Sequence, residues 1–362
     1  MRKTKILLSA LLTSYCSCLL PAFLKAQDIH FSQYNFSPLT LNPALTSAYK
    51  DIQATLQYKD QWRSLNGFRT AAATFEMKAG QFNWIKIERL TGFFKKKLAK
   101  GLAFGVNVFS DRAGDGAMRQ TQGNLSIAYH SLLDAHNTLS GGIMGGISQR
   151  TISPDALRFN NQYSGGAFDP GMMSGENFSD RSFIYGDYAA GILYSYGDGS
   201  RYMTANDQKH FNAGISFSHF SRPKQSFIST PSDQLKWKLT AHAGSLIGIP
   251  NSNCSFGPSL LYMRQGALNE FTFGALMKYM LKDNSVYTGY VKGAAFSLGC
   301  YYRNKDAVIP YFLVELGAYS LGISYDTNVS GLTYATAGRG GLEISLRFNN
   351  PTPFLYQNRS RI

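Results

Sequence analysis

The chain is short of charge. Of its 362 residues, 16% are Asp, Glu, Lys or Arg, against about a quarter in soluble domains, too few to coat an ordinary water-facing surface. Cysteine is scarce: four residues, with Cys16 and Cys18 inside the first 26 positions. The remaining two, Cys254 and Cys300, make no disulfide framework and read as ordinary apolar-face residues. Beyond residue 26 no run of 18 consecutive apolar residues occurs, which excludes a transmembrane helix.

Catalytic signatures are missing too. His30, His130, His136, His210, His219 and His242 form no His-x-x-x-His or Glu-flanked zinc motif, and there is no Gly-x-Ser-x-Gly elbow. His219 stands near Ser216, Ser218 and Ser221, but serines at strand period are common on a lumen face without catalysis. "GGIMGG" at 141–146 lacks the Lys-Ser/Thr of a phosphate loop; close packing of a plug against a wall explains its glycines better. "DRAGDG" at 111–116 and "YDTN" at 325–328 lack EF-hand spacing, and Asp and Gly crowd tight turns for their own reasons. The expectation is a protein that is not an enzyme and holds no cofactor and no metal.

What is present is an export pattern followed by strands. Arg2, Lys3 and Lys5 precede an apolar run from Ile6 to Leu24 broken by Pro21, and Ala26 offers a cleavage point before Gln27. That is a secretory signal peptide over 1–26; Pro21 and the Lys25-Ala26 exit argue against a retained anchor, and no lipoprotein box surrounds Cys16 or Cys18. Its removal takes four basic residues, lowering the net charge from +14 to +10. Export makes nucleic acid an unsuitable counterpart, and acidic surface polymer or lipid a better one.

Aromatics are 14% of the chain and glycines number 35. In "AYSLGISYD", Tyr319, Leu321, Ile323 and Tyr325 fall on one face, with Ser320, Gly322, Ser324 and Asp326 on the other. "GGLEISLRF", "HFNAGISFSH" and "GLAFGVNVF" alternate in the same way. A soluble sandwich alternates too, but so many strands would need too large a shared core, so the apolar face is read as lipid-facing. Fourteen strands are expected, at 54–62, 69–78, 101–112, 117–130, 137–151, 183–197, 208–219, 235–247, 253–264, 269–280, 294–303, 306–316, 318–326 and 337–348. The fold class is all-β: a transmembrane outer-membrane antiparallel barrel, closed because an open edge has no partners in hydrocarbon. Trp62, Tyr129, Tyr196, Tyr262 and Tyr302 near strand ends suit interfacial girdles.

The organisation is a signal peptide at 1–26, an irregular segment at 27–50, a barrel at 51–348 and a tail at 349–362. With periplasmic termini, the long connection 152–182 falls outside the cell. The periplasmic connection 79–100 carries "NWIKIERLTGFFKKKLAK", which reads either as an interfacial helix or as a solvated basic turn.

Four stretches resemble the PorP/SprF family of type IX secretion and gliding-associated outer-membrane proteins. They are "QDIHFSQYNFSPLTLNPALTSAY", "FNAGISFSHFSRPKQSF", "GPSLLYMRQGALNEFTFGALMKY" and the closing segment from "GCYYRNKDAVIPYF" to "GGLEISL". They run in family order from 27 to 348; Thr46-Ser47 stands where the family usually has a small Ala-Gly pair. The resemblance implies a non-enzymatic barrel that anchors a secreted adhesin-like substrate through its C-terminal sorting domain, or an accessory of the secretion machine. Its partners would be that substrate, other type IX secretion components and outer-membrane lipid. The alternative is a porin-like or hydrophobe-transporting channel.

Two sets of residues follow. Phe31, Gln33, Tyr34, Asn42 and Pro43, in the proline-interrupted stretch 28–48, are expected to pack into the periplasmic mouth and plug the barrel. His219, Arg222 and Lys224 as donors, with Asp326 and Asn328 as acceptors, are expected on outer connections as a grip for the partner.

Overall fold

The computed structural model describes residues 28–62, 67–79, 101–114, 116–154, 157–164, 166–176, 181–198, 206–227, 234–282, 293–331 and 333–349. The expected signal peptide, most of the basic stretch 79–100 and most of the C-terminal tail lie outside the described residues.

Fourteen antiparallel strands close into one barrel in sequence order. They are β1 (Ile52–Gln61), β2 (Phe68–Lys78), β3 (Leu102–Ala113), β4 (Met118–Leu132), β5 (Asn137–Thr151), β6 (Ser182–Asp198), β7 (Lys209–Ser218), β8 (Lys238–Gly248), β9 (Cys254–Gln265), β10 (Leu268–Lys282), β11 (Ala294–Arg303), β12 (Ala307–Leu316), β13 (Tyr319–Asn328) and β14 (Arg339–Asn349). Every strand expected from the alternation is there, no end differing by more than three residues. The seam joins first strand to last, from Gln53 opposite Asn349 to Gln61 opposite Gly341. Closure satisfies the edges that hydrocarbon would leave bare.

The wall is apolar outside and polar inside. On β13, Tyr319, Leu321, Ile323 and Tyr325 are exposed, whereas Ser320, Ser324 and Asp326 are buried. On β1, Leu56 and Tyr58 face out while Thr55, Gln57 and Lys59 face in. Exposure here means exposure to lipid, which suits apolar side chains. No helix among the described residues is long and apolar enough to cross a membrane. Cys254 and Cys300 are both free.

The barrel has two rims. The proximal rim is where β1 begins and β14 ends; the distal rim carries the long connection between β5 and β6, which includes a two-residue hairpin of Tyr163–Ser164 with Ala167–Phe168. The lumen is filled by the residues that precede β1.

Candidate functional site: the lumen plug and the distal rim

Residues 28–51 fold as turns because their sequence permits little else. Pro38 opens a four-residue helical turn (Pro38–Leu41) and Pro43 a 3-10 turn (Pro43–Leu45). Both sit at first helical positions, where a missing N–H is no loss. Asn42 caps the second turn, its side-chain oxygen accepting from the Ala44 N–H at 2.9 Å.

The segment threads the barrel rather than stopping in one mouth. Asp28 meets His219 and Gln265, at the distal ends of β7 and β9. Tyr34 reaches Ser259 and packs edge-on against Tyr301, with ring centroids 5.8 Å apart. Thr46 bonds Ser126 and its carbonyl accepts from His130; the Ser47 N–H donates to Glu76; Asp51 faces Lys78 beside the proximal rim. Residues 28–48 were expected at the mouth where β1 begins, but Asp28 lies at the opposite one.

The distal half of the plug is held by charge. Glu343 accepts the N–H groups of Ser32 and Gln33 at 2.8 and 3.0 Å, while the Gln33 amide donates to the Glu343 carbonyl and Ser324. Arg303 donates to the Ser32 hydroxyl at 2.7 Å and to Asp326 at 3.2 Å, and Lys59 stands 3.6 Å from Asp326. Buried charges are tolerable only when paired and hydrogen-bonded in this way. His30 lies 3.6 Å from Glu270. Burial, with Arg303 and Lys59 adding to it, pulls the His30 imidazole down to about 4 despite Glu270, so near neutrality this is a contact of a neutral ring and not an ion pair.

His219 is the outermost clamp. Its Nδ1 faces Asp187 at 2.8 Å and its Nε2 faces Asp28 at 2.5 Å, so both nitrogens donate. Burial alone would lower its pKa, but the two carboxylates, Asp28 first, raise it to about 9. Although burial acts the other way, His219 holds Asp28 well below the usual carboxylate range.

The proximal half is held by fit. Gly142 lies against the Pro43–Ala44 backbone, and an added Cβ there would collide with the Pro43 carbonyl. Asn42 donates to the Ile192 carbonyl at 3.0 Å and contacts His242; a Cβ at Gly214 would stand 2.7 Å from the Asn42 side-chain nitrogen. Phe36, Leu41, Ala44 and Leu45 join Leu193, Leu261 and Tyr301 in the apolar cluster.

Phe31, Gln33, Tyr34, Asn42 and Pro43 are all buried inside the barrel. The proposed outer grip is not assembled. Asp326 is 1% exposed, because it continues the inward parity of Ser320, Gly322 and Ser324; Asn328, on the same parity, is buried and donates to Thr336 and the Arg339 carbonyl. His219 turns inward to its two carboxylates. Of the five, Arg222 and Lys224 face solvent, beside a turn in which His219 and Arg222 adopt positive φ of 63° and 42°. Lys59, Glu270, Arg303, Glu343, Asp28 and Asp187 were not singled out from sequence. Charge at the inward parity of a membrane strand is the signal that marks five of them, all but Asp28. Among the described residues no group of three or more His, Cys, Asp or Glu could hold a metal ion.

Wall, closure and plug define an outer-membrane β-barrel whose lumen is occupied by its own N-terminal segment. The description "Type IX secretion system membrane protein PorP/SprF" fits residues 23–348. The chain belongs to that family, and with it to the outer membrane. No curated protein matches it. Among solved structures it is similar to the KdgM porin (6% identity, 82% of this chain and 99% of that one, TM-score 0.34). It is also similar to CdiB from Acinetobacter baumannii (9%, 83% and 60%, 0.37) and LpxR from Salmonella typhimurium (10%, 82% and 100%, 0.31). Likeness at that level carries nothing about ligand or partner.

Proposed function

We propose that this barrel is a non-enzymatic anchor that retains a secreted surface protein by its C-terminal sorting domain, with the distal rim facing outward. The observation behind this reading is the threaded plug: the lumen is filled by buried residues of the chain itself, which favours contact with cargo at a rim over passage through the pore. The segment after β7 supplies the contact. Its base is pinned, the His219 N–H donating to the Tyr188 carbonyl and the Leu235 N–H to the Pro223 carbonyl, while Lys224 pairs with Gln234. Arg222 and Lys224 are thereby presented on the pinned base of that segment, suited to acidic groups of a sorting domain.

The test is Arg222→Ala with Lys224→Ala in the cell of origin. Surface retention of secreted proteins should fall several-fold while the barrel keeps its heat-modifiable migration in gels. Unchanged retention would remove the loop from the reading. A second reading, a porin-like channel, predicts steady conductance of the wild-type protein in planar bilayers; the plugged anchor predicts none until residues 28–48 are deleted.

A further inference from the structure

Two hollows lie back to back across the wall at β8 and β9. On the lumen side, between the plug and the wall, is a cavity of about 380 Å³ whose apolar lining includes Leu41, Leu45, Leu246, Leu276, Tyr301 and Leu313. Its charged groups, Glu76, Lys278, Glu315 and Arg347, come from the proximal ends of their strands. Lys278 is paired with Glu315 at 2.5 Å. Two buried polar atoms in the lining, Ser47 Oγ and Arg347 Nε, have no hydrogen-bond partner. On the lipid side a second hollow is lined by Phe211, Ala243, Pro258, Leu260, Phe273 and Ala275. The two share Ala243, Gly244, Ser245 and Ser259.

The wall between them is thin and incompletely laced. The β8–β9 ladder runs from Lys238–Gln265 to Gly244–Ser259 and resumes at Ile247–Phe256, skipping Ser245 and Leu246 opposite Pro258 and Gly257. Pro258 has no N–H to contribute. Pairing of the same residues with β10 is unbroken, with Gly257 opposite Leu276 and Pro258 opposite Ala275. A gap in backbone pairing is costly beside hydrocarbon, and here it coincides with small side chains on both faces and a hollow on each side.

We propose that the lumen cavity binds a single acyl chain of an anionic outer-membrane amphiphile, and that the β8–β9 gap is its side door to the bilayer. The volume is near the lower end of ligand pockets, about 300–1,000 Å³, which suits one chain rather than two. The unpartnered Arg347 Nε, at the polar end, fits a carboxylate or phosphate head. This site is separate from the distal loop, so it stands or falls independently of cargo retention.

The test uses the full barrel, delipidated and reconstituted in phosphatidylcholine liposomes, with dansyl-labelled undecanoic acid as the probe. Saturable binding is expected, at least tenfold weaker in Leu246→Trp and in Leu276→Trp, two independent ways to fill the cavity; a variant counts only if its heat-modifiable migration is retained. Pro258→Ala restores the missing N–H and should leave affinity within twofold while slowing exchange of the probe with the bilayer at least fivefold. Arg347→Gln should weaken the acid more than the corresponding dansyl alcohol. Absence of saturable binding, or equal binding in both filled variants, overturns the cavity. Unchanged exchange in Pro258→Ala overturns the side door, and equal loss of acid and alcohol in Arg347→Gln overturns the anionic head.

Discussion

The two halves of the plug are held by different physics. Residues 28–34 meet the wall through Glu343, Arg303, Lys59, Asp326 and the Asp28–His219–Asp187 clamp. Residues 36–48 meet it mainly through proline-fixed turns, apolar side chains and glycines that let the backbone come close, with the Thr46 and Ser47 contacts to Ser126, His130 and Glu76 at their end. Charge anchoring can be loosened by pH or by removing one partner; anchoring by shape responds to volume. The distal half is therefore the half that solution conditions can loosen.

Three experiments can break or sharpen that contrast, each read by hydrogen exchange along 28–48 and by thermal unfolding in detergent. The largest effect is expected from Arg303→Ala, which takes the cation from Glu270 and leaves Asp326 with Lys59 and the Ser32 hydroxyl. Removing one partner of a buried ion pair costs about 3–5 kcal/mol, and exchange should accelerate at 28–34 well before 36–48. Equal acceleration of both halves would dissolve the distinction. Next is Gly142→Ala, where a new Cβ meets the Pro43 carbonyl; overpacking of this kind costs about 1–3 kcal/mol, and residues 40–46 should loosen first. The smallest effect is expected from pH. His219 has its pKa raised from 6.5 to about 9, so its contribution is complete below about 6.5 and is lost as pH rises through 9. Protection at 28–30, taken relative to the base-catalysed intrinsic exchange rate at each pH, should fall over that window in the wild type and stay flat in His219→Gln; flat wild-type protection would show that the clamp does not titrate there.

The wall was legible because its signal is local. Alternation with period 2 decides which face meets lipid, and Leu321 or Ser324 reads correctly from four or five neighbours. The plug's existence was legible too, since Pro38 and Pro43 exclude regular strand. Its course was not: nothing in "QDIHFSQYNF" tells Asp28 to lie at the far rim, because that position depends on His219, 191 residues away. The same non-locality misdirected the outer grip. Asp326 and Asn328 stand near a strand end, where loop chemistry suggests solvent, yet the inward parity of β13 continues through both.

The strand that completes the wall also carries the plug's principal acceptor. Glu343 lies on β14, 311 residues from Ser32, and β14 zips to β1 along the closing seam. The lumen has no perimeter until the last strand arrives, so the threaded segment cannot be pushed into a finished pore from the β1 side without its leading end crossing the whole barrel. Loop entropy of this size makes such contacts slow to form. The order of assembly that follows has the wall wrapping around its own leading segment, with closure and plugging set by one late pairing event. A truncation that removes β14 therefore takes away both the seam and Glu343's hold on the plug.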